Sequence, residues 1–309
     1  MATEANCLTG QPLVSVIMNC YNGEKYLREA IDSVIAQTYQ NWEIIFWDNQ
    51  STDSSAKIFN SYNDSRLKYF YAPFHTLLYE ARGNALENAQ GEFLAFLDVD
   101  DVWSTEKLER QIPLFENNNI GLVYSNCLFF DEGDRSEKLY VEDELPEGKV
   151  LGQLLQKYVI GLLTIVVRKS ALDKLDKAFD KRYQLIGDFD LCIRMAEKWD
   201  FGCIQDPLAK YRYHLNSTMN MESWRLFKEF DTWFNEMKKY PDIYSLIVSM
   251  NIISQKYYPI GRDAYLKRNN ETAVKCLRHA FIYGNFIERI KSAYMLVGLF
   301  VRSPLSLLR

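Results

Sequence analysis

Three carboxylates, Asp98, Asp100 and Asp101, crowd into four positions directly after an apolar run at 93–97. The run reads as a buried strand. Carboxylates at the C-terminal end of such a strand stand where open α/β sheets place their ligands. Held together they oppose one another's ionisation. A divalent cation with oxygen ligands, often one that also holds substrate phosphates, is the usual relief. A solvated acidic loop capping the next helix is the bland alternative. Asp48 tips the balance, because it ends a second strand-like run at 43–47. If the two strands run parallel, both acids face one crevice.

The elements that must position these acids alternate along the chain. Residues 13–18 form a first apolar, β-branched run, followed by the turn Asn19-Cys20-Tyr21-Asn22-Gly23. Apolar residues at helical spacing predict a helix over 24–37, with Asn22 as its N-cap. Ser51 to Asp53 offer caps for a helix to about Ser61. A strand at 67–71 and a helix at 79–89 follow, with Gly91 as the C-terminal stop. Strand–helix alternation over the first hundred residues predicts an α/β fold, a mostly parallel sheet flanked by helices. Beyond it we expect a helix at 104–115 and one or two strands at 120–130. The polar stretch 131–149 reads as an exposed loop, or more sharply as a lid over the crevice. A strand at 162–167, a short helix at 170–177, a helix opened by Gly187-Asp188-Phe189-Asp190, and strands at 201–204 and 209–214 complete this part. Spacing alone makes Asp188 and Asp190 helix-capping residues. After a loop at 216–218 the pattern turns helical, over 222–239, 242–257 and 264–284. Residues 262–282 would pass for one tetratricopeptide-like pair, but one copy makes no array.

Composition narrows the function. The chain has 309 residues, 48% hydrophobic and 25% charged, with a net charge of −5. General nucleic-acid binding is excluded, and handling phosphates requires locally placed cations. The six cysteines show no metal-ligand spacing. The N-terminus lacks a signal-peptide core, and the longest apolar runs, 158–167 and 293–301, are too short to span a bilayer. We expect reduced cysteines and a cytosolic protein. The segment 286–301 is open to three placements: on a membrane surface, docked on the rest of the chain, or in a homodimer.

Two reactions suit paired carboxylates at a strand end. One is metal-assisted transfer from a nucleoside diphosphate donor. The other is aspartyl-phosphate chemistry, since residues 98–102 satisfy a loose haloacid-dehalogenase phosphatase pattern. That fold normally opens with this strand, whereas here three strand units precede it. Nicotinamide chemistry is disfavoured, because no G-x-G-x-x-G follows the first strand. For the transferase reading, Asp48 can accept the imide N–H of a uracil or thymine, and Arg82 can bind a diphosphate. Spacing alone gives Arg82 instead a surface ion pair with Glu80 or Glu87. A non-catalytic nucleotide-sugar-binding subunit is the remaining alternative.

Several segments in order resemble the family 2 glycosyltransferases, enzymes with the GT-A fold. They are VSVIMNCYNGEKYLREAIDSVIAQTY from Val14, DNQSTD from Asp48, ARGNALENAQGEFLAFLDVDD from Ala81, GDFDLCIR from Gly187 and YRYH from Tyr211. The resemblance covers about residues 12 to 218. It implies an inverting transferase moving a sugar from a UDP-linked nucleotide-sugar donor to a glycan or lipid-linked acceptor in cell-envelope polysaccharide synthesis. It implies a glycosyltransferase domain over 1–219, with donor binding in 12–103 and acceptor binding in 104–219; the helical region over 220–309, read from pattern, lies outside it. Asp48 would hold the base and Asp98 the ribose side, with Asn19, Tyr21, Asn22, Arg82 and Val99 lining the donor. Asp100 would bind Mn²⁺ or Mg²⁺, with His214 reaching the metal or phosphates. Asp188 would be the general base. Three departures stand out: Gly187 replaces the pattern's Glu before the base, Gly83 replaces the Asn after Arg82, and Asn49 replaces the second Asp of DDGSTD.

Overall fold

A computed structural model describes residues 10–214 and 225–302. The loop expected at 216–218, the boundary expected at 219–220 and Cys7 lie outside the described residues. The chain forms two compact units, Met1–Leu151 with Tyr158–Met221, and Gly152–Lys157 with Glu222–Arg309.

The first unit is built on a nine-stranded sheet. Its first half comprises β1 (Val14–Cys20), α1 (Leu27–Ile35), β2 (Trp42–Asp48), α2 (Ser55–Phe59), β3 (Leu67–Tyr71), α3 (Leu78–Leu86) and β4 (Phe93–Phe96). These strands lie in the order β3-β2-β1-β4, all parallel. β1 and β4 are buried along their whole length, as expected of parallel strands covered on both faces. Both β2 and β4 flank β1, so the chain ends after Asp48, Cys20 and Phe96 open on one edge.

The second half is mixed. It adds β5 (Val102–Trp103), α4 (Lys107–Gln111), a 3₁₀ turn at Ile112–Glu116, β6 (Ile120–Asp131), β7 (Glu137–Leu139), β8 (Val166–Arg168), α6 (Lys169–Leu172), α7 (Gly187–Lys198) and β9 (Asp200–Tyr213); the helix α5 (Leu151–Gln156) lies almost wholly in the second unit. β8 runs antiparallel to both β4 and β6, whereas β9 runs parallel to β6. The two strands expected at 201–204 and 209–214 are one, which keeps Pro207 in a register shift against β6. Residues 162–164 are a 3₁₀ turn, not strand. The stretch 131–149 is not a bare loop: β7 folds back on β6, and Glu132 binds Lys25 at 2.9 Å.

Two glycines act by space. A Cβ on Gly91 would lie 2.5 Å from the Ser15 backbone N. Gly91 is therefore there for close approach to β1, not as a left-handed helix stop. Gly23 admits the Val99 side chain, which would meet a Cβ at 2.7 Å.

At the far end of the sheet, Glu43 is buried in β2 and accepts from Ser15 Oγ at 2.5 Å and Gln90 N at 2.9 Å, with Lys68 Nζ at 2.5 Å. Burial alone would raise its pKa, but these partners outweigh it and hold the carboxyl low. A lowered carboxyl stabilises the fold above its unfolded pKa, and the stabilisation is lost as pH falls through the folded value. Glu43→Ala is expected to cost on the order of 3 kcal/mol, read by urea denaturation at neutral pH. No loss at all would remove this network from the account.

The second unit is helical, with Leu226–Met237, Pro241–Ser249, Ile252–Leu266, Asn270–Tyr283 and Phe286–Arg302. The runs expected at 242–257 and 264–284 are each broken by a left-handed residue, Asn251 and Arg268. Asn269 then caps the next helix by accepting from Thr272 N. Gly261 lets Ile252–Leu266 approach Cys276 and Leu277 closely. Among the described residues no helix is long and apolar enough to cross a membrane, and the five described cysteines are free thiols.

Candidate active site

The loops after β1 and β2 are tied into one wall. Asn22 is not a helix cap: it has φ of 56°, and its Oδ1 accepts from Thr52 N at 2.8 Å. Its own N–H donates to Ser51 Oγ, and Gly23 N donates to Ser55 Oγ, each at 3.0 Å. Across the gap Glu24 N donates to Asp53 Oδ2, and Glu24 Oε2 accepts from Ser54 N, each at 2.9 Å. Asp48 is fully buried at the base of this wall. Its carboxylate accepts from Ser51 N and Tyr69 Oη, both at 2.7 Å. Above it Tyr21, 54% exposed, packs on His75 with ring centroids 4.4 Å apart. Asn19 is 7% exposed, and both polar atoms of its side chain lack a hydrogen-bond partner. Such an orphaned amide is costly unless a ligand or water answers it.

Each of the three clustered acids has a different partner. Arg82, expected on the surface beside Glu80 or Glu87, is instead 2% exposed and ion-paired with Asp98. Asp100 Oδ2 lies 3.0 Å from His214 Nε2. Asp101 is buried and accepts from Arg212 N at 2.8 Å. Burial, then the charges of Asp100 and Asp98, push the Asp101 carboxyl well above the usual range. Arg212, which sequence reading left without a role, clamps the turn. Its Nε donates to Asp100 O at 2.9 Å and its Nη2 to Glu29 at 2.6 Å. The charge problem posed by three adjacent acids is thus largely met by the chain's own cations and donors.

Asp188 lies half-buried in the first turn of α7. Tyr79 Oη donates to its Oδ1 at 2.9 Å, and Tyr158 Oη lies 3.4 Å from Oδ2. Burial raises the Asp188 carboxyl, against the lowering effects of Tyr79 and the Arg82 charge. A chain of contacts joins it to the acidic turn: Arg82 lies 4.7 Å over the Tyr79 ring and pairs with Asp98. Asp190 instead pairs with Arg194 at 2.7 Å inside the helix.

Gly187 explains its own departure from the pattern. A Cβ there would fall 2.3 Å from Tyr79 Cγ. The Tyr79 ring fills the space a side chain would take, and its hydroxyl addresses Asp188. No local signal marks Tyr79; only the missing side chain at 187 hints that a neighbour needs the room.

Among the described residues no three metal-ligating side chains converge. Asp100 and His214 are the pair with the right chemistry, one carboxylate and one imidazole.

This fold and site define a glycosyltransferase of the GT-A fold. The family model for glycosyl transferase family 2 matches residues 15–174, and the chain belongs to that family. It is 30% identical over 275 residues to the UDP-Glc:alpha-D-GlcNAc-diphosphoundecaprenol beta-1,3-glucosyltransferase WfgD of Escherichia coli, covering 88% of this chain and 97% of the relative. It is 29% identical over 229 residues to the putative teichuronic acid biosynthesis glycosyltransferase TuaG of Bacillus subtilis, covering 72% and 87%. The structure of S. aureus TarS 1-349 in complex with UDP-GlcNAc superposes with a TM-score of 0.68 at 17% identity, covering 93% of this chain and 89% of that one. The mannosyltransferase PcManGT of Pyrobaculum calidifontis, solved with GDP-Man and Mn²⁺, gives a TM-score of 0.60 at 17% identity, covering 96% and 82%. A phosphatase built on Asp98 is set aside: β4 is the fourth strand, and Asp98 is engaged by Arg82.

Proposed function

We propose that the protein inverts the anomeric centre of a UDP-linked sugar as it transfers it to a hydroxyl of a glycan or lipid-linked acceptor. The observation that carries this reading is Asp188, a half-buried carboxyl held by Tyr79 and linked through Arg82 to Asp98. A base poised above the ordinary carboxylate range is suited to take a proton from a hydroxyl as it attacks. Residues 12–103 hold the donor and 104–219 the acceptor. Tyr21 stacks on the base, while Asp48, expected to hold the base, is fully buried and engaged by Ser51 and Tyr69, so with Asn22 it fixes the loops around it. Asn19, Asp98, Val99 and Arg82 line the ribose and diphosphate. The orphaned amide of Asn19 fits such a ligand.

Asp100 and His214 are the residues that would hold one divalent ion, Mn²⁺ or Mg²⁺. Such an ion would supply charge neutralisation for a departing diphosphate. Arg82 holds Asp98 in place beside it, and Arg212 fixes the Asp100 backbone. The names of the relatives, one acting on a diphosphoundecaprenol-linked sugar and one in teichuronic acid synthesis, support an envelope glycan acceptor.

The test is release of nucleoside diphosphate from UDP- and GDP-sugar panels with Mn²⁺ and a lipid-diphosphate GlcNAc acceptor. Acceptor-dependent release from a UDP-sugar is expected; release from GDP-sugars alone would overturn the donor assignment. Tyr79→Phe removes the hydrogen bond that lowers the Asp188 pKa, so the acid limb of kcat/KM is expected to move to higher pH. Gly187→Glu, which restores the family's residue, is expected to cost about 2 kcal/mol by overpacking and to lower kcat about 100-fold by displacing Tyr79. An unshifted limb in the first variant, or a wild-type rate in the second, would remove Tyr79 from its place beside the base.

A further inference from the structure

The helix Phe286–Arg302 has two unlike faces. Ser292 and Leu299 are buried at 0% and 1% exposure, Leu299 in a cluster with Ala264, Ala273 and Leu277. On the opposite side Ile287, Ile290, Tyr294 and Val297 recur at three- and four-residue spacing. They are 60%, 54%, 80% and 62% exposed. One continuous apolar stripe of this kind, open to water, marks an interaction surface. Lys291 and Arg289 stand on its two flanks, both exposed, with Arg289 also donating to Gly284 O and Ile282 O. The preceding helix ends in exposed Phe281 and Ile282, with Arg278 one turn earlier.

Charge identifies what covers the stripe. The helices Asn270–Tyr283 and Phe286–Arg302 carry five Lys or Arg against two Glu, in a chain whose total is −5. Both Glu are engaged within the unit. Glu271 pairs with Lys275 at 2.6 Å. Glu288 accepts from Asn285 N at 3.1 Å while Asn285 Oδ1 accepts from Glu288 N at 3.0 Å, a reciprocal cap. A second copy packed stripe to stripe would therefore bring Lys291 and Arg289 against like charges, with no acid among the described residues beside the stripe except the capped Glu288. The stripe also spans only about two heptads, short of the three or four a coiled coil needs. With 17 residues the helix is about 25 Å long, less than the roughly 30 Å hydrocarbon core.

We propose that this face lies flat on an anionic lipid surface. Ile287, Ile290 and Val297 enter the acyl boundary, Tyr294 sits at the headgroup level, and Lys291, Arg289 and Arg278 meet lipid phosphates. The surface carries the enzyme to a bilayer in which a lipid-linked acceptor would reside; the inference itself stands on the helix and not on the chemistry of the site.

The full chain is sedimented with vesicles of phosphatidylcholine alone and with vesicles containing a third phosphatidylglycerol. Binding to the anionic vesicles is expected to exceed that to neutral ones about tenfold and to weaken as salt rises. Ile290→Asp and Lys291→Glu are each expected to reduce it about tenfold, with circular dichroism and UDP binding unchanged, because both positions are exposed. The salt titration of the unaltered protein needs no variant. Equal binding to both vesicle types, no binding to either, or indifference to both substitutions would overturn the inference. So would a lipid-free dimer in gel filtration that Ile290→Asp splits, which gives the face to a second copy. Donor turnover measured on the same samples separates this outcome from that of the site: a protein that sediments without turnover sinks the site reading alone.

Discussion

Asp188→Asn is expected to lower kcat about 10³-fold while leaving the donor Kd within about threefold, because a general base contributes only as the hydroxyl attacks. The amide keeps the shape and can still accept from Tyr79, so the loss isolates the proton acceptor. The pH profile supplies the sign. Burial raises the Asp188 pKa, the ionised form is the active one, and kcat/KM falls as pH drops through the raised value. That limb is absent from the residual activity of the variant. Stability moves the other way. A carboxyl with a raised folded pKa stabilises the fold below its unfolded pKa, and that contribution is gone once pH rises through the folded value. At neutral pH the Asn variant is therefore expected to melt higher than the wild type. A lower melting temperature with unchanged kcat would make Asp188 a structural residue.

Asp100→Ala is expected to cost about 10²- to 10³-fold in turnover. Its carboxylate stands 3.0 Å from His214, and together they form the pair suited to a divalent ion. Chelation of the wild type is expected to give the same loss, restored by Mn²⁺. Chelation of the variant is expected to add little, because both changes remove one interaction. His214→Ala should resemble a milder Asp100→Ala and leave the melting temperature almost unmoved. Full, chelator-resistant turnover by Asp100→Ala would separate this pair from the reaction.

Much of this was legible in the residues. The strand Leu67–Tyr71 is where the pattern places it, and β1, β2 and β4 differ only at their ends, because long apolar runs between turn residues have few alternatives. Local pattern failed where a partner comes from elsewhere in the fold. Arg82 reads as a surface residue because its partner, Asp98, lies beyond the end of another element. Tyr79 is silent in sequence because its role follows from contact with Gly187 and Asp188, over a hundred residues away. Short apolar runs misled in another way: residues 162–164 look like strand but form a 3₁₀ turn, since periodicity over three residues decides nothing. The breaks at Asn251 and Arg268 depend on left-handed backbone, which Asn favours and Arg does not advertise. The family resemblance supplied the role proposed for Asp188, which spacing alone would have spent on a helix cap.

The stereochemistry of the product tests the account at its centre. A single displacement, with Asp188 drawing the proton from the attacking hydroxyl and the diphosphate leaving from the opposite face, must turn an α-linked donor into a β-linked product. The anomeric proton coupling of the purified product, read by nuclear magnetic resonance, is predicted to be that of a β-linkage. An α-linkage from the same donor would contradict the account, because retention requires a second displacement or a front-face attack for which Asp188 has no part.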